Sequence, residues 1–122
     1  MAETILIVDD DPHIVIAIAY LLKRAGYEAA IARDGQQALD YLADHCPALM
    51  ILDVMIPGKN GFEVCEIVRA DHRLAKMPVL MLSAKDREAE MNKGLALGAD
   101  AYMTKPFSTH ALVERVKSLL HS

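Results

Sequence analysis

Polar side chains with catalytic potential follow short apolar runs, at the places where buried strands would end. They are Asp9 and Asp10 after TILIV, Asp53 after LMIL, Ser83 after PVLML, and Lys105 shortly after AYM. Carboxylates can hold a metal ion or attack phosphorus, while a hydroxyl and an ammonium group can bind phosphoryl oxygens. This chemistry requires a fold that brings all five side chains together.

Three clustered carboxylates need a partner charge. At about 5 Å and an effective dielectric constant near 20, each pair repels by roughly 3 kcal/mol, on the order of 10 kcal/mol for Asp9, Asp10 and Asp53 together. That repulsion rivals the stability of a whole domain, so the group must be protonated, hydrated or bound to a cation. Because no His or Cys stands at these strand ends, the oxygen ligands favour Mg²⁺ over zinc or copper.

Apolar runs and helical patterns alternate five times along the chain. The predicted strands are Thr4 to Val8, Tyr27 to Ala32, Leu49 to Leu52, Pro78 to Leu82 and Ala101 to Met103. The helix signals are Asp11 with Pro12, Asp34 with Gln37, Gly61, Asp86 and Ser108 as starts, and Gly26 and Gly98 as ends. This alternation predicts an α/β fold with a single doubly wound parallel sheet, since 122 residues are too few for a barrel.

Ligands of open α/β sheets bind beyond the carboxyl ends of the strands, where the strand order reverses. With strand order 2-1-3-4-5, strands one and three are neighbours there, and all five polar side chains converge. Asp53 is then the best nucleophile, because it stands alone on its strand and leaves Asp9 and Asp10 to the metal. The product would be an aspartyl phosphate.

Four segments occur in an order that resembles a response-regulator receiver domain of two-component signalling. They are ILIVDDDP, ILDVMIPGKNGFEVC, PVLMLSA and GADAYMTKPF, and the resemblance covers residues 1–122 as one domain. It implies a five-stranded, flavodoxin-like (βα)5 fold. It also implies a signalling domain rather than an enzyme, which accepts a phosphoryl group from a histidine kinase or histidine phosphotransfer protein and then controls an output partner or domain.

The resemblance also assigns roles to individual residues. It implies that Asp53 is phosphorylated, that Asp10 and Asp53 bind Mg²⁺ directly, and that Asp9 acts mostly through water. The Met55 backbone carbonyl would supply a further ligand. Because the Met55 thioether would overhang the phosphoryl group without orienting water, we expect Met55→Asn or Met55→Glu to change the dephosphorylation rate.

Three other residues would respond to the phosphoryl group. Ser83 would donate to a phosphoryl oxygen, Lys105 would pair with it, and Tyr102 would reorient together with Ser83 as an aromatic switch. The alternative for Tyr102 is a strand aromatic that packs on the last helix. Pro106 would follow a cis peptide bond.

Rival classes fit the residues less well. A flavodoxin-type binding module would need a hydroxyl- and amide-rich loop where the acidic run stands. A haloacid-dehalogenase-type phosphatase would need a second acid at Met55. A receiver-like module that has lost phosphorylation is disfavoured, because every chemical residue is present.

The residue pattern of the first helix predicts a docking surface on its outward side. On a helical wheel Ile14, Ala17, Ile18, Leu21 and Leu22 form the core stripe, while Val15, Ile16 and Ala19 lie outward. An exposed apolar patch there would bind the helical bundle of the phosphodonor. A fully buried helix or a contact with another domain are the alternatives.

If phosphorylation produces a homodimer, we expect only part of the usual charge pairing across its interface. Receivers of winged-helix transcription factors carry acids where this chain has Ala101 and Ala111, which leaves Asp100, Lys93 and Arg115.

The bulk composition limits the remaining classes of function. A net charge of −4 without a basic run argues against nucleic-acid binding. The longest apolar stretch, Ile14 to Leu22, is too short to span a membrane. Cys46 and Cys65 are expected to be free, buried thiols, and the protein is expected to be cytoplasmic.

Overall fold

Strands and helices alternate along the chain in a computed structural model that describes residues 3–58, 60–84 and 88–121. The strands are β1 (Thr4–Val8), β2 (Glu28–Ala32), β3 (Leu49–Asp53), β4 (Val79–Ala84) and β5 (Ala101–Lys105). The helices are α1 (Pro12–Arg24), α2 (Gly35–Asp44), α3 (Gly61–Ala70), α4 (Glu88–Ala96) and α5 (Thr109–Leu120). All strand pairs are parallel and the order is β2-β1-β3-β4-β5, which confirms the predicted fold.

Both faces of the central strands are covered. Leu6 and Met50 belong to the core under α2 and α3, whereas Ile5 and Ile51 belong to the core under α1 and α5. A strand buried on two faces has no polar side to present, and this explains the continuous apolar runs. Among the described residues, no helix combines the length and hydrophobicity that a membrane span requires.

The helix starts follow local capping chemistry. The side chains of Asp11, Asp34 and Ser108 each accept a backbone N–H from the first turn of α1, α2 and α5, as predicted. Gly26 and Gly98 adopt positive φ after α1 and α4. Asp86, the predicted start of the fourth helix, lies outside the described residues.

Asp11 is the cap of α1 and takes no part in the acidic cluster with its side chain. Its Oδ1 accepts the His13 N–H at 2.9 Å. We expect Asp11→Ala to lower the free energy of unfolding by about 1 kcal/mol, and Asp11→Ser to keep most of it, because serine also caps helices. Urea denaturation measures both values. Equal losses in the two variants would contradict a capping role.

The buried arc of α1 is rotated from the predicted one. Val15 is buried with 2% exposure, while Ala17 is exposed, so the predicted positions of these two residues were wrong. The wheel accounts only for the helix itself, whereas α1 also contacts β2 and α5 in the folded chain. Ile16 is outward as predicted, at 67% exposure, and Ala19 is half-buried.

Candidate functional site

The acidic cluster arises where β1 and β3 end side by side. Val8 pairs with Leu52, so the next residues, Asp9 and Asp53, lie together at the carboxyl edge of the sheet. The Asp9 N–H donates to the Ala32 carbonyl at 3.1 Å, which continues the β1–β2 ladder by one residue. Both carboxylates are buried, with exposures of 1% for Asp9 and 5% for Asp53.

One ammonium group joins these two carboxylates. Lys105, the last residue of β5, places Nζ 2.8 Å from Asp9 Oδ2 and 3.1 Å from Asp53 Oδ2. The opposite oxygens are held by the backbone, since Asp9 Oδ1 accepts the Asp11 N–H at 3.0 Å and Asp53 Oδ1 accepts the Met55 N–H at 3.3 Å. Each carboxylate is therefore fixed by its own turn and by the shared lysine.

The cluster shifts the pKa values of its members. Burial and, to a lesser extent, the Asp9 charge raise the pKa of Asp53 to about 6, although Lys105 and the Met55 N–H oppose the shift. Burial alone would lower the pKa of Lys105, but its hydrogen bonds and charge pairing with the two carboxylates raise it. Asp53 is therefore largely ionised at neutral pH, yet more basic than an ordinary carboxylate.

The donor set fits a hard divalent cation. One carboxylate oxygen each from Asp9, Asp10 and Asp53 lies within 4.8 Å of the others, and Asp10 is exposed to solvent. Within the described part of the chain, three carboxylates face the single ammonium of Lys105, which leaves this group with two excess negative charges. An oxygen-only cluster with that charge suits Mg²⁺, which commonly binds through one or two carboxylates and water.

Ser83 and Tyr102 lie on the two neighbouring strands. Ser83 is fully buried in β4 and pairs in register with Thr104 of β5. Tyr102 is half-buried and packs against the core on the α3 side of the sheet, which also contains Phe62 and Met81. Packing on the last helix, the alternative for Tyr102, is therefore wrong. The Lys105–Pro106 peptide is cis, as the resemblance implies.

The loop after Asp53 leads directly into α3. Asn60 caps α3 in a reciprocal box with Glu63. A Cβ at Gly61 would lie 2.5 Å from the Asp53 carbonyl oxygen and 2.8 Å from Val54 Cα. Gly61 therefore lets α3 begin directly against the backbone of Asp53. The Asn-x-x-Glu spacing was the available signal for the cap.

Comparisons with known proteins agree with this geometry. Residues 5–117 match the family model described as the response regulator receiver domain. A structure from Chloroflexus aurantiacus J-10-fl is 36% identical over 100% of both chains, with a TM-score of 0.97. The receiver domain of the Francisella response regulator 1452 is 32% identical, covering 98% of this chain and 97% of that one, with a TM-score of 0.90. The chemotaxis response regulator CheY4 of Vibrio cholerae is 30% identical, covering 98% and 99%, with a TM-score of 0.92. The chain therefore belongs to the response regulator receiver domain family of two-component signalling.

Proposed function

We propose that this domain, residues 1–122, accepts a phosphoryl group onto Asp53 from a phosphohistidine of a histidine kinase or phosphotransfer protein. The observation that carries the proposal is the shared Lys105, which holds the buried Asp9 and Asp53 together beside Asp10. Asp9, Asp10, Asp53 and the Met55 backbone carbonyl would hold Mg²⁺. When bound, the ion supplies positive charge for the transferring phosphoryl group.

In the reaction, a carboxylate oxygen of Asp53 attacks phosphorus while the P–N bond of the phosphohistidine breaks. The imidazole nitrogen keeps the electron pair and the acceptor becomes an acyl phosphate. Lys105 already lies 3.1 Å from Asp53 Oδ2, so its ammonium group can pair with the phosphoryl oxygens after only a short movement. Because the transition state is loose, positioning and charge stabilisation supply most of the rate.

The switch follows from the added charge. A phosphoryl group brings nearly two negative charges and three acceptor oxygens to a buried edge. The Ser83 hydroxyl would donate to one of those oxygens, and Tyr102 would move into the space that Ser83 leaves. The altered surface near Tyr102 would control an output partner or domain. We place this signalling in the cytoplasm.

Intact-mass spectrometry tests phosphoryl acceptance directly. After incubation with acetyl phosphate and Mg²⁺, we expect one phosphoryl adduct on the wild-type protein and none on Asp53→Asn. Asp40→Asn is the matched control, because it removes an exposed carboxylate of α2 and should retain the adduct. A wild-type protein without an adduct, or Asp53→Asn with one, would overturn the proposal.

The phosphodonor would dock on an outward ridge of α1. Ile16 and Tyr20, one turn apart, have exposures of 67% and 57%, and Arg24 donates to the Tyr20 hydroxyl at 3.1 Å. This ridge of Ile16, Tyr20 and Arg24 replaces the predicted patch, since Val15 is buried. Exposed apolar side chains next to a cation favour an amphipathic helical partner.

We expect Ile16→Glu to slow phosphotransfer from the cognate kinase by about tenfold, because a carboxylate would enter an apolar contact. Labelling by acetyl phosphate should remain unchanged. Ile67→Glu, which alters an exposed residue of α3 on the other side of the sheet, is the matched control. The measurement is transfer from a panel of purified, autophosphorylated kinase domains. Equal transfer rates for Ile16→Glu and Ile67→Glu would contradict docking on this ridge.

Charged residues expected at a dimer face also make contacts within the chain. Asp100 Oδ2 is engaged within the chain, at 2.6 Å from Arg69 Nη2 and 2.8 Å from the Val79 N–H. Lys93 Nζ lies 4.7 Å from the centroid of the Phe62 ring. Two of the three charged residues expected at such a face are thus committed to intramolecular contacts.

A further inference from the structure

Met55 differs from the other methionines of the described chain in its exposure. Met50 and Met81 are fully buried, Met77 is 7% exposed, and Met91 and Met103 are half-buried, whereas Met55 is 68% exposed. Oxidants in solution reach exposed thioethers first, because reaction requires contact with the sulfur. Among the described methionines, Met55 is therefore the favoured target.

The same residue stands at the mouth of the acceptor site. Its backbone N–H donates to Asp53 Oδ1 at 3.3 Å, so the Met55 side chain extends from backbone that contacts the acceptor carboxylate. The side chain is unbranched and flexible, and most of its surface is exposed to solvent. A chemical change at its sulfur would therefore occur on a flexible side chain two residues from the acceptor, whose phosphoryl bond hydrolysis must break.

We propose that Met55 is an oxidation site through which peroxide sets the lifetime of the phosphoryl group on Asp53; this inference rests on the proposed function. In the step, the Met55 sulfur attacks one oxygen of hydrogen peroxide, the O–O bond breaks and an S–O bond forms. The sulfur is oxidised to the sulfoxide. The transferred oxygen gives up its proton, and the second peroxide oxygen is reduced, takes up that proton and leaves as water.

The sulfoxide has different hydrogen-bonding chemistry. A thioether sulfur is a weak acceptor, whereas the sulfoxide oxygen is polar and accepts hydrogen bonds well. Placed over the acyl phosphate, that oxygen can orient a water molecule for attack on phosphorus. Oxidation therefore shortens the phosphoryl lifetime, and a sulfoxide reductase that draws electrons from a thiol reductant restores it.

The experiment uses the full chain with the exposed Cys46 replaced by serine, so that thiol oxidation does not interfere. Peptide mapping after mild peroxide treatment should show Met55 oxidised before Met91 and Met103. The acetyl-phosphate-labelled protein should then lose its phosphoryl group about threefold faster or more, a small part of the ~10²–10⁴-fold that a well-placed proton acceptor contributes. Treatment with methionine sulfoxide reductases A and B, one for each sulfoxide epimer, together with a dithiol reductant should restore the original half-life.

Two variants make the result specific. Met55→Leu cannot be oxidised at this position and should keep its half-life after peroxide, while Met91→Leu should respond like the parent protein. The inference is overturned if Met55 is not oxidised before Met91 and Met103, if oxidised protein keeps its half-life, or if Met55→Leu also responds. Failure of untreated protein to acquire a phosphoryl group would instead overturn the proposed function, and this inference with it.

Discussion

Lys105→Met lowers the initial rate of phosphoryl acquisition from acetyl phosphate by about 10²-fold, the usual cost of removing one preorganised charge from a transition state. The physical reason is the position of Nζ, which lies 3.1 Å from Asp53 Oδ2 and is held there by Asp9 at 2.8 Å. Lys105→Arg keeps the charge but not the compact ammonium, so it should recover only part of the rate. Time-resolved intact-mass spectrometry measures all three proteins.

The matched control for this prediction is Lys76→Met. Lys76 is an exposed lysine on the segment before β4, at the opposite end of the sheet from the cluster, and its loss should leave the rate unchanged. Circular dichroism and urea denaturation show whether Lys105→Met is folded under the assay conditions. A folded Lys105→Met protein that reacts within twofold of wild type would refute the role of Lys105.

Asp53→Asn makes the metal-free protein more stable at pH 7 to 8. The pKa of Asp53 is about 6 in the folded protein and near 3.8 in the unfolded chain. Between these values the folded state holds a proton that the unfolded state releases, so stability falls as pH rises from about 4 to 6 and stays lower above that range. Removing the charge should recover about 2 to 3 kcal/mol at pH 8.

Urea denaturation in EDTA from pH 4.5 to 8 measures this effect. The wild-type protein should lose stability as the pH rises through this range, and Asp53→Asn should lose much less. Asp40→Asn, the exposed-carboxylate control, should follow the wild-type curve. Mg²⁺ should stabilise wild type more than Asp53→Asn, because the ion binds the folded state through the carboxylate that the variant lacks. Parallel pH curves for wild type and Asp53→Asn would contradict the burial cost of this carboxylate.

Much of the fold was predictable because its signals are local. The caps Asp11, Asp34 and Ser108 act on backbone N–H groups within the next turn, so their spacing alone identifies them. The continuous apolar runs follow from burial of both sheet faces. Strand ends were less accurate, since β3, β4 and β5 each extend past their predicted ends to Asp53, Ala84 and Lys105. Those extensions depend on ladder partners that a single strand does not reveal.

Features that depend on distant neighbours were missed. Val15 is buried although a wheel of α1 alone places it outward, and such a wheel cannot show that α1 also contacts β2 and α5. Arg69 donates to Gly98, Met77 and Asp100, contacts that span up to 31 residues of sequence. Cys46 is exposed rather than buried, with its sulfur 3.0 Å from Arg73 Nη1, again a partner far along the chain.

For the site, residue types were predictable but the pairing pattern was not. The convergence of Asp9, Asp10, Asp53 and Lys105 follows from strand order and from the position of each residue at a strand end. The backbone contacts that fix Asp9 and Asp53 come from turn geometry. Their donors, the Asp11 and Met55 N–H groups, are present in every residue type except proline and leave no specific mark in the sequence.

The run of three aspartates accordingly divides by role. Asp9 is buried and paired with Lys105, Asp10 is exposed within the same cluster, and Asp11 caps α1 while its N–H orients Asp9. The three adjacent carboxylates are tolerated because each of them lies in a different environment.

The central claim, that Asp53 is the phosphoryl acceptor, is tested most directly by locating the modified residue. Borohydride reduces an aspartyl phosphate to homoserine, which peptide mass spectrometry can assign to one position. After treatment with acetyl phosphate and Mg²⁺ followed by borohydride, homoserine is expected at position 53 alone. Homoserine at position 9 or 10, or its absence from a protein that carries a phosphoryl adduct, would contradict the account.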